Sequence, residues 1–125
     1  MDYGLRGQAA VVTGSTSGIG QALAAALAEQ GVNVVLNGFG DPAQIEHDRR
    51  ALEERTGVRV VYDGADMTKP DQIAGLVDAA WRAFDRLDIL VNNAGIQHVS
   101  PVEDFPPEKW EAIIAINLSS AFYAT

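Results

Sequence analysis

Apolar positions along the 125-residue chain are of two kinds: short continuous runs, and longer stretches where they recur every three or four residues. Ala9 to Thr13, Val32 to Leu36, Val58 to Tyr62 and Ile89-Leu90-Val91 are runs of the first kind, suited to strands buried on both faces of a parallel sheet. Between them the period lengthens. Ile19, Ala22, Leu23, Ala26 and Leu27 predict a helix with one apolar face, ended by Gly31. Asp41-Pro42 supplies a cap residue and a first-turn proline for a second helix reaching about Thr56. Thr68 with Asp71 resembles a capping box, and Ile73, Leu76, Val77, Ala80, Trp81 and Phe84 mark the buried face of the helix it opens. After the fourth strand, Pro106 and Pro107 bracket the start of a long helix with Trp110, Ile113, Ile114, Leu118, Ala121 and Phe122 along one stripe. Strand and helix alternate through short loops, which requires right-handed crossovers and a doubly wound parallel α/β sheet. The whole chain, 1–125, reads as one domain, stopping after the fourth strand and the long helix.

The junction of the first strand and helix carries the chemistry. Val11-Val12-Thr13 runs into Gly14-Ser15-Thr16-Ser17-Gly18-Ile19-Gly20, a Gly-x-x-x-Gly-x-Gly spacing. Backbone that passes within contact distance of a diphosphate cannot carry Cβ atoms at its closest points. Gly14 allows a sharp exit from the strand, Gly18 opens space for a pyrophosphate, and Gly20 lets the helix lie against the sheet, so that free N–H groups of the helix start face the anion. The first gap holds three residues where the usual dinucleotide fingerprint Gly-x-Gly-x-x-Gly has one, and such glycines can also simply turn a tight corner.

Charge and composition narrow the partners. The formal net charge is -8 and the nine basic residues are scattered, which disfavours DNA, RNA or another polyanion. Cysteine is absent, excluding disulfides and thiolate chemistry. The first eight residues lack the blocks of a signal peptide, and no apolar run approaches the roughly 20 residues a membrane helix needs. A cytoplasmic protein without a membrane partner is the expectation. His47 sits beside Asp48 and Arg49 on a polar helix face, His98 follows Gln97 on a loop, and no His/Asp/Glu cluster suggests a metal, so a metal-free site is expected. Asn117 breaks the apolar stripe of the last helix. An amide there costs about 1–3 kcal/mol unless hydrogen-bonded, so it needs a partner, of which a neighbouring carbonyl is the plainest.

Asn117 has company in Asn92-Asn93-Ala94-Gly95, directly after the fourth strand. With Thr13-Gly14-Ser15-Thr16-Ser17-Gly18-Ile19-Gly20, these residues make the whole chain resemble the short-chain dehydrogenase/reductase family. That resemblance implies a Rossmann sheet that binds NAD or NADP outside the carboxyl ends of its strands. Asn37-Gly38-Phe39-Gly40-Asp41, Asp66-Met67-Thr68-Lys69, Ala94-Gly95-Ile96-Gln97-His98-Val99, Glu103-Asp104-Phe105-Pro106 and Ala115-Ile116-Asn117-Leu118-Ser119 are similar to family members acting on small hydroxy acids. The resemblance then implies that Gly14, Thr16, Gly18 and Ile19 hold the pyrophosphate beside Gly20. Ala65, Asp66 and Met67 address the adenine, Asp66 as acceptor from its amino group. Asn93, Ala94 and Gly95 border the adenine ribose, and Ile116 touches the cofactor. Gln97 donates to the substrate carboxylate, although a Gln at such a place is by default merely solvated. Asn117 belongs to a proton relay. A homotetramer of the full-length protein is implied as well.

About 20 residues past the glycines, where an acid reads the ribose or an arginine reads a 2′-phosphate, stand Asn37-Gly38-Phe39-Gly40, with neither charge. A 2′-phosphate without a cation is poorly stabilised, so NAD is expected over NADP. Phe39 either covers the adenine side or is an ordinary core aromatic. Family catalysis uses a serine, a tyrosine and a lysine four residues beyond it. Here Tyr3 is followed by Gly7, Tyr62 by Asp66 and Tyr123 by the chain end. An unassisted tyrosine, with pKa about 10, is deprotonated near pH 7 only at a cost of roughly 4 kcal/mol. The chain is therefore expected to be the cofactor-binding amino-terminal part of a dehydrogenase, inactive alone, with an exposed apolar edge at Ile89-Leu90-Val91 and a tendency to aggregate. An oxoacyl-type reductase fragment, a nucleotide-binding module without turnover, and a product with no ligand remain the alternatives.

Overall fold

The computed structural model describes residues 2–125. Its elements are β1 (Ala9–Val12), α1 (Gly18–Glu29), β2 (Asn33–Asn37), α2 (Pro42–Thr56), β3 (Val60–Asp63), α3 (Pro70–Phe84), β4 (Ile89–Val91), a 3₁₀ turn over Val102–Asp104, α4 (Pro107–Ile114), a π-helical segment (Ala115–Ser119) and α5 (Ser120–Ala124). The four strands form one parallel sheet in the order β3-β2-β1-β4, with Val11 opposite both Val35 and Leu90. The chain steps outward from β1 to β2 and β3, then crosses back to place β4 on the other side of β1. The gap between β1 and β4 is thus the switch point of the sheet, open at the carboxyl ends of both strands.

Alternate residues of β1 feed opposite faces. Ala10 and Val12 pack with Ala24, Ala28, Val34, Leu36, Leu52 and Val60, whereas Val11 packs with Val35, Ile73, Leu76, Ala80 and Ala124. Helices therefore cover both faces, the doubly wound arrangement read from the sequence.

Several local expectations are corrected. The face of α1 turned to the sheet is Gly20, Ala24 and Ala28, while Ile19 and Leu23 are 75% and 39% exposed. Contact with the glycine turn fixes the rotation of this helix, and only small residues fit beneath it. Thr68 does not cap α3: its hydroxyl donates to Asp66 Oδ1 at 2.7 Å, and the cap position falls to Lys69 without a side-chain bond. Asp41 does cap α2, accepting from Gln44 N at 3.2 Å. Trp81 lies half outside the core at 52% exposure. The long final helix is interrupted by the π turn, and its apolar stripe is not a buried face: Trp110, Leu118 and Phe122 are exposed while Ser120 and Ala124 are buried on the α3 side. No helix among the described residues is long and apolar enough to cross a membrane.

Candidate functional site

Where β1 ends, the chain is held by side chains buried with it. Thr13 Oγ1 accepts from the backbone N–H of Asn93 at 3.0 Å and of Ala94 at 2.9 Å, tying the end of β1 to the loop after β4. Asn93 returns the contact, its Nδ2 donating to the carbonyls of Thr13 and Gly14 at 3.2 and 3.1 Å. The N–H groups of Gly14 and Ser15 are themselves engaged by Asn37, so the free donors of this corner are those at the start of α1. Gly14 has φ +63°, and a Cβ there would press on Ala94 Cα. A Cβ on Gly20 would overlap Gly14 O and Asn93 Nδ2, whereas Gly18 faces open space. Gly14 thus makes the sharp exit and Gly20 the close packing that the spacing predicted, and Gly18 leaves open space beside the turn. The first bond of the α1 ladder runs from Gln21 N to Ser17 O, leaving the N–H groups of Gly18, Ile19 and Gly20 outside it, and no acidic residue lies in the first turn.

A second buried hub lies at the end of β2. Asn37 is 1% exposed. Its Oδ1 accepts from Gly14 N at 3.2 Å, and its Nδ2 donates to the carbonyls of Asp63 and Ala65, both at 3.1 Å. Its own N–H donates to Ser15 Oγ at 2.9 Å, and that hydroxyl donates to Val12 O at 2.6 Å. One amide therefore joins the glycine turn to the loop after β3. The sequence pointed to Asn37 as part of a family-like stretch and as a place without charge, not as a hub. The signal it carried was that a polar side chain ending an apolar strand must find partners.

These elements enclose a cavity of about 420 Å³ at the switch point. Of the residues the sequence nominated, Gly14, Thr16, Ile19, Phe39, Ala65, Met67, Asn93, Ala94, Gly95 and Ile116 line it, joined by Ser17, Asn37, Gly38 and Ile96. None of these side chains is charged. Phe39 is 66% exposed and faces this cavity, which decides against the core-aromatic reading. Gly18 lines a neighbouring groove between α1 and α2, and Gly20 is buried behind the turn. Asp66 stands between two lining residues without lining the cavity itself; Thr68, through its hydroxyl and N–H on Oδ1, holds the Asp66 carboxyl below the usual range. Gln97 is exposed one residue beyond Ile96 and outside the lining.

Asn117 is exposed, not on a buried face, and its amide is nevertheless paired. Its Oδ1 accepts from Ile96 N and its Nδ2 donates to Ile96 O, both at 2.8 Å. The π turn places an extra residue here, so that Ile116 reaches the cavity while Asn117 grips the neighbouring loop. Such single π turns commonly interrupt α-helices at functional sites.

A parallel, doubly wound sheet with a glycine turn at its switch point is a Rossmann fold. The pattern of the short chain dehydrogenases matches residues 8–125, and the chain belongs to that family. Among curated proteins it is 54% identical over 121 residues to the D-beta-hydroxybutyrate dehydrogenase of Cupriavidus necator, covering 97% of this chain and 46% of that protein. To the enzyme of the same name from Rhizobium meliloti it is 52% identical over 117 residues, covering 91% and 44%. The chain thus spans about half the length of the curated relatives it matches. Among solved structures, L-sorbose reductase from Gluconobacter frateurii, complexed with NADPH and L-sorbose, superposes with a TM-score of 0.91 at 34% identity, over 99% of this chain and 47% of that one. A short chain dehydrogenase from Burkholderia cenocepacia in complex with NADP gives 0.91 at 32% identity, over 96% and 49%.

Proposed function

We propose that this chain is the dinucleotide-binding part of an NAD-dependent oxidoreductase that interconverts D-3-hydroxybutyrate and acetoacetate. The observation that carries the cofactor reading is the cavity at the switch point, bordered by the glycine turn and lined by no charged side chain. A nicotinamide dinucleotide fits the residues present: Cβ-free backbone where a diphosphate must approach, spare N–H groups at the start of α1, and an uncharged wall at the end of β2. When bound, the nicotinamide supplies the hydride acceptor.

The chain's own residues bind and orient. Gly14, Thr16, Gly18 and Ile19 hold the pyrophosphate, Gly18 and Ile19 with the free N–H groups of the α1 start, and Gly20 keeps α1 close. Ala65 and Met67 border the adenine, Phe39 covers its outer side, and Asp66, kept ionised by Thr68, accepts from the adenine amino group. Asn93, Ala94 and Gly95 flank the ribose, and Ile116 contacts the cofactor from the π turn. Gln97 donates to the substrate carboxylate. Asn117 positions a proton relay through water held by its helix.

NAD is favoured over NADP because no cation lines the cavity to receive a 2′-phosphate. The NADPH and NADP in the two structural relatives favour the phosphorylated cofactor, which the second reading, an oxoacyl-type reductase, also uses. The substrate reading rests on the 54% and 52% identical relatives. The exposed apolar Trp110, Leu118 and Phe122 would be covered by pairing with their counterparts in another subunit, and the reading includes a homo-oligomer, a tetramer at full length.

Calorimetric titration of the chain with NAD and NADP tests the cofactor, with NAD expected to bind about tenfold tighter. Joining residues 1–125 to the remaining half of the Cupriavidus relative should give NAD-dependent oxidation of D-3-hydroxybutyrate. Tighter binding of NADP, or reduction of an acyl-carrier substrate with NADPH by the joined chain, overturns this reading in favour of the second.

A further inference from the structure

The loop that leaves β2, Gly38–Gly40, is held by two hydroxyls from different parts of the fold. Thr16 Oγ1, on the glycine turn, donates to Phe39 O at 2.9 Å. The Tyr62 hydroxyl, on β3, donates to Gly38 O. Two consecutive carbonyls are therefore engaged, and because each peptide unit is planar both planes of the loop are fixed. Gly38 is at φ +150°, and a Cβ on it would overlap Thr16 Oγ1. A side chain at position 38, including an acid that could read a ribose, thus cannot coexist with the Thr16 bond. A phenol is a donor at neutral pH, and burial, with the Asp63 charge adding to it, pushes that of Tyr62 further up.

We propose that Tyr62 is a positioning residue for the cofactor. Acting through the Gly38 carbonyl, it fixes the main chain beside the ribose, and the shape of that clamped loop, not a charged side chain, selects between dinucleotides. Tyr62 does not line the cavity, whereas Gly38 and Phe39 do, so its effect on binding is transmitted through the loop. This inference rests on the cofactor reading above and extends it to a residue outside the glycine motif.

The test compares the chain with its Tyr62→Phe variant, which keeps the ring and loses the hydroxyl. Far-ultraviolet circular dichroism and melting verify that both fold alike. Amide hydrogen exchange reads the loop, and calorimetry with NAD and with NADP reads binding. The expected result is faster exchange at Phe39 and Gly40, NAD binding weaker by about fivefold, and a lower ratio of NAD to NADP affinity. Thr16→Val, which removes the other hydroxyl, should lower the same ratio, and Thr16→Ser should restore it. Unchanged exchange at Phe39 and Gly40 in Tyr62→Phe, or an unchanged affinity ratio while the parent binds NAD, overturns the clamp and leaves the cofactor reading standing. If the parent chain binds neither dinucleotide, the cofactor reading falls and the clamp falls with it.

Discussion

The two walls of the cavity are built in different ways. One is formed by the ends of β1, β2 and β3, where Thr13, Ser15 and Asn37 are each 1% exposed and every buried polar side-chain atom among the described residues has a partner. The other is formed by the loop after β4 and the π turn, where Asn117 is exposed and its grip on Ile96 is open to water. Buried, mutually dependent hydrogen bonds open only with the fold around them, while solvent-exposed ones open locally at much lower cost. The first wall is therefore preformed for an anion, and the second is the one able to adjust to what arrives beside it. The same contrast separates the phosphate end of the cavity from its Ile96 and Ile116 end.

Three substitutions probe that contrast. The largest effect is expected for Gly20→Ala: the added methyl overlaps Gly14 O and Asn93 Nδ2, so α1 must move off the sheet at a cost of about 3 kcal/mol, read as a lowered melting temperature with loss of dinucleotide binding. An unperturbed melt would show that the first wall is softer than its packing implies. Next comes Asn37→Asp, nearly the same in size but unable when ionised to donate to the Asp63 and Ala65 carbonyls; it should cost about 2 kcal/mol in chemical denaturation. Last is Asn117→Ala, expected to cost about 1 kcal/mol and to speed amide exchange at Ile96 while leaving the amides of the glycine turn protected. Were Asn117→Ala to deprotect Gly14 and Ser15 as well, the two walls would be one cooperative unit and the comparison would fail.

The sequence by itself determined the strands, the alternation with helices, and the glycine turn. Buried parallel strands need continuous apolar runs, and a backbone that must pass close to its neighbours or to an anion needs glycine at particular points. Such requirements are local and leave their mark residue by residue. It also nominated most of the cavity's lining, because the family resemblance places cofactor contacts at Ala65-Asp66-Met67 and Asn93-Ala94-Gly95, in the loops after the third and fourth strands. Only the tertiary structure decided which face of α1 turns inward, since that rotation follows from Gly20 meeting Gly14 across the turn and not from the period of Ile19, Leu23 and Leu27. Tertiary structure likewise made a hub of Asn37, clamps of Thr16 and Tyr62, and a π turn around Asn117. Each of those roles depends on a hydrogen-bond partner more than 20 residues away in sequence, and pairing over that distance is set by how the layers stack, which no local pattern of side chains encodes.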